Sequence, residues 1–414
     1  MVESKRNSGA ANMTNSAEAQ GNGNDTAKLR AMRIESIEAR LYYVPLTSVL
    51  TDARHGTMRE FSLVTVSIMT DGGVEGLGYS YTVGKTGGTA LLALIRDNLA
   101  PALIGVDPRC TEALWEKMWW HLHYVGRGGL ASFAISAIDI ALWDIKGKLA
   151  QEPLWRLLGG HDSSVRVYAG GIDLDLPIDR LRQQTEGNLK RGFRAIKIKV
   201  GRDRLQDDVE RVATARACLG PDLPLMVDAN MRWTVAQAIR AACAFREYDI
   251  YWLEEPTIPD DVEGHRKIEV EGGIPVATGE NLHTIYEFQK MISAGGVSFP
   301  EPDMSNIGGV TGWIKVAHLA EAYNLPVTSH GIHDLHVHLL AAVPNASLME
   351  IHGFGLDPYI AHPLEISNGQ VRASERPGHG IEMQWDALEA YRVGAKGHAL
   401  QSKALRGDVV DLKV

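Results

Sequence analysis

The chain has 414 residues, of which 42 are basic and 51 acidic, so its formal net charge is −9. Hydrophobic residues make up 45% and charged residues 22%, a globular composition that excludes disorder along the whole chain. The acidic balance argues against a general binder of nucleic-acid backbones, which would be basic. The length predicts two or three domains, or one large barrel with a smaller partner domain.

The chain has three cysteines, Cys110, Cys218 and Cys243, which are far apart and form no CxxC pair. Their spacing argues against a disulfide scaffold and a thiolate zinc site, and we expect a reducing, cytoplasmic setting. No apolar run reaches the ~18 residues of a transmembrane helix, so we expect no membrane partner. Residues 1–30 are rich in Gly, Asn, Ser and Ala and predict a disordered tail; their acidic residues make a transit peptide the weaker alternative.

The first ordered elements are predicted to be strands. Residues 34–46 (IESIEARLYYVPL) have a strand pattern, and residues 61–70 (FSLVTVSIMT) alternate between apolar and polar side chains. Asp71-Gly72-Gly73 marks a hairpin turn before a further run, VEGLGYSY. Beyond this run the apolar spacing becomes helical. Residues 31–155 are therefore predicted to form an α+β domain.

From about Val165 the pattern changes to short apolar runs that alternate with amphipathic helical segments. The eight runs are VRVYAGG, AIKIKVG, PLMVDAN, IYWLEEP, IPVATGE, GVSFPEPD, LPVTSH and SLMEIH. Strands that alternate with helices predict βαβ units and a parallel sheet, and eight of them fit a closed α/β barrel better than an open sheet. We predict this barrel over residues 156–375, followed by a segment, 376–414, that packs back on the first domain.

Seven consecutive runs carry an ionisable residue at or near their C-terminal end. In a (β/α) barrel these ends converge on one face, where the active site is built. Any one of these residues alone would be expected to cap a helix or to lie in solvent, but seven in register indicate a site. They are Lys197 with Lys199, Asp228 with Asn230, Glu254, Glu280, Asp303, His330 and Glu350.

Three of these residues form a regular series of carboxylates. The intervals from Asp228 to Glu254 and from Glu254 to Glu280 are both 26 residues, one βα unit each. Three anions held close together repel one another unless a cation lies between them, and oxygen ligands favour Mg²⁺ or Mn²⁺ over zinc. We therefore predict a divalent cation site; the alternative is three unrelated salt-bridged acids.

Two further pairs of residues indicate acid–base chemistry. Lys197 and Lys199 are two apart on one strand, so both side chains face the same side. Two neighbouring cations near a divalent metal are expected to lower a lysine pKa toward the range of a base; the alternative is a basic strand edge in solvent. Asp303 and His330 end neighbouring strands, and a carboxylate behind an imidazole fixes its tautomer and raises its basicity.

Together these motifs resemble the enolase superfamily, and within it the mandelate racemase subgroup. The matching segments are KIK at 197–199, VDAN at 227–230, EEP at 254–256, GEN at 279–281, PD with IGGVTGW at 302–313, SH at 329–330, and Glu350. PLMVDAN, VEGH at 262–265 and HVHL at 336–339 are most similar to acid-sugar dehydratases such as talarate/galactarate dehydratase. The resemblance implies a modified (β/α)7β TIM-type barrel with an N-terminal α+β capping domain. It also implies a homo-oligomer, from dimer to octamer.

The resemblance further implies which residues bind the cofactor. It places one Mg²⁺ on Asp228, Glu254 and Glu280, with Mn²⁺ as an alternative, and leaves Glu255 unassigned. Asn230, beside the first of these ligands, is predicted to bind the substrate.

Acid–base roles also follow from the resemblance. Lys199 and the His330–Asp303 dyad would act on opposite sides of the substrate α-carbon. Lys197 would neutralise the substrate carboxylate. Glu350 would hydrogen-bond the same carboxylate as a protonated acid.

Removal of a proton next to a carboxylate gives an enediolate, and the next step decides the reaction. Reprotonation gives a racemase or epimerase, loss of a β-hydroxyl gives a dehydratase, and a cycloisomerase uses the same groups. We favour dehydration of a sugar acid, an aldarate or aldonate, to a 2-keto-3-deoxy acid. A barrel that only binds a sugar acid is a further alternative, but binding alone needs no paired bases.

The preference for a sugar acid rests on residues 47–61, predicted to be a loop that closes over the distal end of a small-molecule carboxylate. This segment, TSVLTDARHGTMREF, is polar and cationic, whereas an aryl-acid racemase would need an apolar lid. Arg54 and His55 are candidates for binding hydroxyls or a second carboxylate. Arg127, in GRGG, is a third candidate. A solvated position is the alternative for each.

The run HDLHVH, residues 333–338, contains three histidines and could suggest a second metal site. We predict instead that it begins the helix after a strand and that its polar face lies in solvent.

Overall fold

The structure is a computed structural model that describes residues 32–394, so the predicted tail, 1–30, lies outside the described residues. It begins with an antiparallel sheet of three strands, β1 (Ile34–Asp52), β2 (Gly56–Thr70) and β3 (Glu75–Val83), in that order. The predicted hairpin turn between β2 and β3 is confirmed, and Gly73 has the positive φ of 76° that such a turn favours.

Residues 47–61 are mostly strand, so the predicted loop is wrong. Leu50 pairs with Met58 and Thr51 with Thr57, which leaves only residues 53–55 as a turn. Leu50 and Met58 are buried, so their packing holds this part of the hairpin in register. A break in register between Pro45 and Leu50 separates this tip from the rest of β1.

Helices follow the sheet and pack on it. They are α1 (Gly88–Leu94), a π-helical turn (Ile95–Leu99), α2 (Ala100–Leu103), α3 (Thr111–Leu122), α4 (Leu130–Ala150) and α5 (Leu154–Leu157). The long helix α4 lies directly against β3. A Cβ atom at Gly76 or Gly78 would collide with the backbone carbonyls of Ala141 and Ala137, so glycine permits this close approach.

Eight further strands form a parallel sheet. They are β4 (Ser164–Gly170), β5 (Ile196–Lys199), β6 (Leu225–Asp228), β7 (Ile250–Glu254), β8 (Val276–Thr278), β9 (Phe299–Pro300), β10 (Val327–Ser329) and β11 (Ala346–Ile351). Helices lie between them: α6 (Ile178–Lys190), α7 (Leu205–Leu219), α8 (Val235–Phe245), α9 (Val262–Gly272), α10 (Ile285–Ser293), α11 (Gly309–Ala322) and α12 (His333–Ala342).

The hydrogen-bonded order of these strands is β10-β11-β4-β5-β6-β7-β8-β9, and every neighbouring pair is parallel. The sheet is thus a nearly closed barrel with its seam between β9 and β10. One helix connects each strand to the next, from β4 through β11. This is the (β/α)7β arrangement, so the predicted fold class, an α/β barrel with an N-terminal α+β domain, is confirmed.

Large side chains fill one part of the barrel interior. Tyr168 and Trp252 are fully buried and pack edge to face, with ring centroids 5.4 Å apart. Met226 and Ala277 belong to the same cluster. Because this packed layer excludes water, charged side chains concentrate at the C-terminal ends of the strands.

The helix α12 differs from its prediction. His333, His336 and His338 are buried, so the expected solvated face is wrong. The backbone N–H of Met304 donates to His336 Nε2 (3.0 Å), and His338 Nε2 lies 2.9 Å from the carbonyl oxygen of His379. The helix is buried because distant parts of the chain cover it.

The chain after β11 returns to the first sheet. A 3-10 turn (Asp357–Tyr359), a short strand β12 (Gln370–Arg372) antiparallel to β4, and α13 (Trp385–Glu389) lie along this path. The backbone N–H of Val393 then donates to the carbonyl oxygen of Leu41, at 2.9 Å. The domain limits 31–155, 156–375 and 376–414 stay predictions; the first boundary falls within α5 (Leu154–Leu157), and residues 395–414 lie outside the described part. No helix among residues 32–394 is long and apolar enough to cross a membrane.

Candidate active site

The register of β5, β6 and β7 brings four of the predicted site residues together. Lys199 pairs with Asp228, and Asp228 pairs with Glu254, so the three strands end in line. Lys197 lies two residues before Lys199 and faces the same side. None of the four is more than 5% exposed. They form a buried layer of alternating charge across the barrel.

The three predicted metal ligands converge. Asp228, Glu254 and Glu280 each offer a carboxylate oxygen, and these oxygens lie within 4.8 Å of one another. The set is made of hard oxygen donors, which suits Mg²⁺. Next to the ligands, the Oδ1 atom of Asn230 and the Oε2 atom of Glu255 are buried with no hydrogen-bond partner among residues 32–394. The residues therefore fit a divalent cation.

Each of the two lysines forms ion pairs with buried carboxylates. Lys197 Nζ contacts Glu254 and lies 2.8 Å from Glu350 Oε1, and Lys199 Nζ contacts Asp228. Burial is the largest influence on the pKa of Lys199 and lowers it, and Lys197 lowers it further, as expected of a neighbouring cation. The carboxylates of Asp228, Glu280 and Asp52 together raise that pKa by more, so without a cation at the site it lies above its ordinary value.

His330 and Asp303 form the predicted dyad. His330 Nδ1 lies 3.0 Å from Asp303 Oδ2, and His330 Nε2 lies 3.0 Å from Glu280 Oε2. Ser305 donates through its backbone N–H and its hydroxyl to Asp303 Oδ1, each at 2.7 Å. Tyr81 on β3 donates its hydroxyl to the other oxygen of Asp303, at 3.3 Å. The dyad is thus held from both the barrel and the first sheet.

Electrostatics in the dyad follow from these contacts. Burial opposes charge on His330, but Glu280 and the bond to Asp303 raise the pKa of His330 well above its ordinary value. Burial also opposes charge on Asp303, but the bond to His330, the charges of His330 and His336 and the bond from Ser305 together lower the pKa of Asp303. The contacts therefore favour the charged form of both partners.

Glu350 lies at the end of β11, next to Lys197. Burial alone would raise its pKa, but Lys197 and then His352 outweigh burial and hold the pKa of Glu350 below its ordinary range. The expectation that Glu350 is a protonated acid is therefore wrong here. As a carboxylate it pairs with Lys197, at 2.8 Å from Nζ.

Glu255 occupies a place that the sequence left unassigned. Asn281 donates through Nδ2 to Glu255 Oε1 (2.8 Å) and lies 3.4 Å from Glu280 Oε1. Asn281 thus bridges Glu255 to a candidate metal ligand. Burial, followed by Glu280, raises the pKa of Glu255 well above its ordinary value, which favours a neutral acid.

A cavity of about 790 Å³ opens between the first sheet and the barrel, with His330, Asp303 and Glu280 in its wall. From the hairpin 47–61, His55 and Arg59 line it. Residues of the first domain also line it: Tyr81, whose hydroxyl contacts Asp303, and the apolar Leu130 and Phe133. The cavity thus has polar groups of the dyad and apolar side chains in its wall.

The other two cationic candidates do not line this cavity. The guanidinium of Arg54 donates to the carbonyl oxygen of Met231 on the barrel. Arg127 is exposed on the first domain. Asp52 accepts from the backbone N–H groups of Arg54 and His55 and therefore fixes the turn. Of the three tentative residues, the structure brings only His55 to the cavity.

Family models match nearly all of the described chain. Residues 37–159 match the mandelate racemase/muconate lactonizing enzyme N-terminal domain, and residues 180–387 match the enolase C-terminal domain-like model. The chain belongs to the mandelate racemase/muconate lactonizing enzyme family of the enolase superfamily. The family identified from the motifs is therefore confirmed, and the two matches correspond to the first domain and the barrel.

Two curated members of this family illustrate its range. The chain is 53% identical to 3,6-anhydro-α-L-galactonate cycloisomerase of Streptomyces coelicolor, over 87% of this chain and all of that protein. It is 34% identical to L-talarate/galactarate dehydratase of Salmonella typhimurium, over 87% of this chain and 92% of that protein.

Solved structures of the family agree with this fold. A racemase from Streptomyces coelicolor with bound magnesium is 52% identical, with a TM-score of 0.85, over 87% of this chain and all of that chain. An L-talarate dehydratase from Polaromonas, complexed with Mg and L-glucarate, is 37% identical, with a TM-score of 0.83, over 87% and 98% of the two chains.

Sequence reasoning missed two polar side chains at the site of this family member. Tyr81 reaches Asp303 from another domain, and nothing in its local sequence predicts that contact. His352 could have been found, because it follows Glu350 by two residues in the run SLMEIH. Residues two apart on a strand share a face, and that spacing was the available signal.

Proposed function

We propose that this protein is a Mg²⁺-dependent enzyme that removes the α-proton of a sugar acid and expels the oxygen on the β-carbon. We further propose that the substrate is a 3,6-anhydro sugar acid, which would make the enzyme a cycloisomerase. The observation that carries this choice is the 53% identity over the whole length of a cycloisomerase acting on such an acid. Asp228, Glu254 and Glu280 would bind the cation.

Removal of the proton is difficult because it leaves two negative charges on the substrate carboxylate and the α-carbon. When bound, the cation supplies positive charge to the substrate carboxylate as the enediolate develops. Lys197, buried and already paired with two carboxylates, adds a second fixed positive charge. Preorganised groups of this kind stabilise the transition state without rearrangement, on the order of 10²–10³ in rate for one donor.

The two bases lie on strands at different positions around the barrel. Lys199 is on β5, and His330 follows β10. One of them, in its neutral form, takes the proton from C2, the bond between C3 and its oxygen breaks, and the electron pair of the C–H bond forms the C2=C3 double bond. The other base gives its proton to the departing oxygen. The resulting enol becomes a 2-keto-3-deoxy acid.

The difference between ring opening and dehydration lies in where the oxygen goes. In a 3,6-anhydro acid the departing oxygen remains bonded to C6, so the product is an isomer of the substrate. In an acyclic sugar acid the same oxygen leaves as water. The same pair of bases therefore serves both reactions.

Apolar surface in the cavity supports an anhydro-ring substrate. An aldarate would need a cation at its far end; Arg59 lines the cavity, whereas Arg54 and Arg127 do not. Leu130 and Phe133 add apolar surface there, which suits the methylene and ether groups of an anhydro ring. Arg59 and His55 are available to bind the remaining hydroxyl groups.

Dehydration of an acyclic sugar acid is the second candidate. It is supported by the 34% identity to L-talarate/galactarate dehydratase and by the similarity to the Polaromonas enzyme complexed with L-glucarate. Arg59 in the cavity wall is the group that would bind a distal carboxylate in that case. Racemisation or epimerisation needs only the two bases and is the third outcome to measure.

One experiment separates these candidates. The purified protein with Mg²⁺ is incubated with 3,6-anhydro-L-galactonate, L-galactonate, galactarate and glucarate, and products are followed by a 2-keto acid assay and mass spectrometry. A keto product with the mass of the anhydro substrate supports the cycloisomerase, and a product lighter by one water supports the dehydratase. Conversion of neither class, with Mg²⁺ binding intact by calorimetry, would contradict the proposal. Light scattering of the same sample tests the proposed homo-oligomer.

A further inference from the structure

His352 is a buried imidazole beside the proposed bases that the mechanism above does not use. It follows the end of β11 by one residue, and its side chain is only 2% exposed. The ring lies 5.5 Å from the ring of His330, centroid to centroid, and packs edge to face on Phe354 at 5.3 Å. Nitrogen atoms of His330 and His352 and an oxygen of Glu350 lie within 4.8 Å of one another.

The hydrogen bonds of His352 fix its tautomer. The backbone N–H of Phe354 donates to His352 Nδ1, at 3.0 Å. A nitrogen that accepts a hydrogen bond carries no proton, so the proton of the neutral ring is on Nε2. The turn after β11 therefore orients the Nε2–H group as a donor.

This donor has no acceptor among residues 32–394. His352 Nε2 is buried without a hydrogen-bond partner, and Glu350 Oε2, at 3.8 Å, is beyond hydrogen-bond distance. Buried donors are nearly always paired, because leaving one unpaired costs free energy. An unpaired donor at the end of a barrel strand indicates a group that a ligand satisfies.

The ring stays neutral under ordinary conditions. Burial lowers the pKa of His352 to about 3; Glu350 opposes this effect, while His330 adds to it. A neutral ring keeps its Nε2–H group as a hydrogen-bond donor.

There is room for a ligand atom beside the ring. His352 lies in the wall of a second cavity, of about 590 Å³, separate from the one lined by His330, together with Gly170 and Gly171 from the end of β4. A Cβ atom at Gly170 would collide with the carboxylate of Glu350, so glycine lets that carboxylate lie against the end of β4, beside His352.

We propose that His352 is a substrate-binding residue whose Nε2–H donates to an oxygen at the reacting end of the sugar acid, beside Glu350 and His330. The proposal rests on the function proposed above. It adds a neutral hydrogen-bond donor to the positive charges that Lys197 and a bound cation would supply. A neutral N–H donor stabilises charge that develops on oxygen without competing for the proton moved by the bases.

Two substitutions test the donor. His352→Leu removes it, and His352→Gln places an amide N–H near the position of Nε2. We expect kcat/KM on the converted sugar acid to fall on the order of 10²-fold for His352→Leu and to recover in large part for His352→Gln. Mg²⁺ affinity, measured by calorimetry, should be unchanged in both. His338→Gln is the matched control, because His338 is an equally buried imidazole that bonds to a backbone carbonyl away from the site.

A spectroscopic measurement keeps the test independent of turnover and of mutant folding. ¹⁵N-histidine NMR of the wild-type protein should show His352 protonated at Nε2, and Mg²⁺ with L-galactonate should shift that nitrogen. If wild-type protein converted no sugar acid, the proposed function would fail, and this shift would still decide whether His352 contacts a sugar acid. An Nδ1-protonated ring, an unmoved Nε2 signal, wild-type kinetics in His352→Leu, or equal losses of activity and Mg²⁺ affinity in both variants would overturn the proposal.

Discussion

His330 Nδ1 lies 3.0 Å from Asp303 Oδ2, and the other oxygen of that carboxylate accepts two hydrogen bonds from Ser305. Asp303 is therefore fixed before it orients the imidazole. Because the ring is also 3.0 Å from Glu280 through Nε2, its position depends on a carboxylate at each nitrogen.

Replacing Asp303 by Asn should separate the orientation of the His330 imidazole from Mg²⁺ binding. The amide cannot hold the imidazolium, so we expect kcat to fall about 10²–10⁴-fold, the usual contribution of a positioned acid or base. Mg²⁺ affinity should stay within about twofold, because Asp303 is not among the proposed ligands. Steady-state kinetics and calorimetry on one preparation measure both, with Ser305→Ala as a milder comparison. A large loss of Mg²⁺ affinity would show that Asp303 belongs to the metal site.

Replacing Glu254 by Gln should weaken Mg²⁺ binding and abolish activity. One of three converging anions is lost, and the amide oxygen is a poorer ligand for a hard cation. Calorimetric titration with Mg²⁺ measures the first effect without reference to any substrate. The control is Glu112→Gln, an exposed acid on α3 that pairs with Lys315. Full activity of wild-type protein after removal of divalent ions by EDTA would count against the metal site altogether.

Lys199→Ala and His330→Asn should each lose exchange of the α-proton for a different stereoisomer of the substrate. The two residues lie on β5 and after β10, and we expect them to face opposite sides of the substrate α-carbon. In D₂O, His330→Asn should lose exchange for the stereoisomer whose proton faces the imidazole and keep it for the other, and Lys199→Ala should do the reverse. NMR of the recovered substrate measures this directly. Loss of exchange for every stereoisomer in both variants, with substrate affinity retained, would favour a single shared proton relay.

The cavity geometry predicts which cationic residues affect substrate binding. His55→Ala and Arg59→Ala should raise KM on the best sugar acid by about tenfold, since a hydrogen bond to a charged or polar group contributes on the order of 1.5 kcal/mol. Arg127→Ala should have wild-type kinetics, because Arg127 is exposed and does not line the cavity. A large effect at Arg127 with galactarate alone would instead point to a distal carboxylate and favour the dehydratase.

The lowered pKa of the buried His338 predicts that the folded protein loses stability in acid. Burial lowers the pKa of His338 from 6.5 to about 3, with His379 adding to the effect, so the unfolded chain binds a proton that the folded chain does not. The free energy of unfolding is therefore fully retained above pH 6.5 and falls as the pH drops toward 3, by up to about 2 kcal/mol at pH 5 for this one group. Denaturant titrations at pH 7 and pH 5 should show a smaller decrease for His338→Gln. Equal decreases for the two proteins would contradict the low pKa.

Much of this molecule could be predicted from local sequence. The βα rhythm placed Asp228, Glu254 and Glu280 at strand ends, and a barrel then forces such ends together. The pKa of Lys199 could not be predicted in the same way, because it depends on which carboxylate lies opposite in the sheet. That partner, Asp228, is on the next strand of the barrel.

The wrong predictions concern residues whose structure depends on contacts between separate segments of the chain. His338 is buried because residue 379 returns to cover it, and the polar pattern of HDLHVH gives no sign of that contact. The prominent charges of residues 47–61 indicate a loop, whereas the pairing of Leu50 with Met58 decides the structure of this hairpin. The carboxylate of Glu350, two residues before His352, is sufficient to explain the motif SLMEIH, so the motif does not single out the imidazole.

The contact between Tyr81 and Asp303 limits how this enzyme could be rebuilt. Tyr81 is on β3, whose glycines fit it tightly to α4, and the neighbouring Ser80 donates to the carbonyl oxygen of Ser305 at 2.8 Å. A chimera that joins this barrel to the first domain of another family member would therefore inherit or lose part of its acid–base machinery at the junction. Exchange of the hairpin 47–61 with β3 left in place would keep both of these contacts.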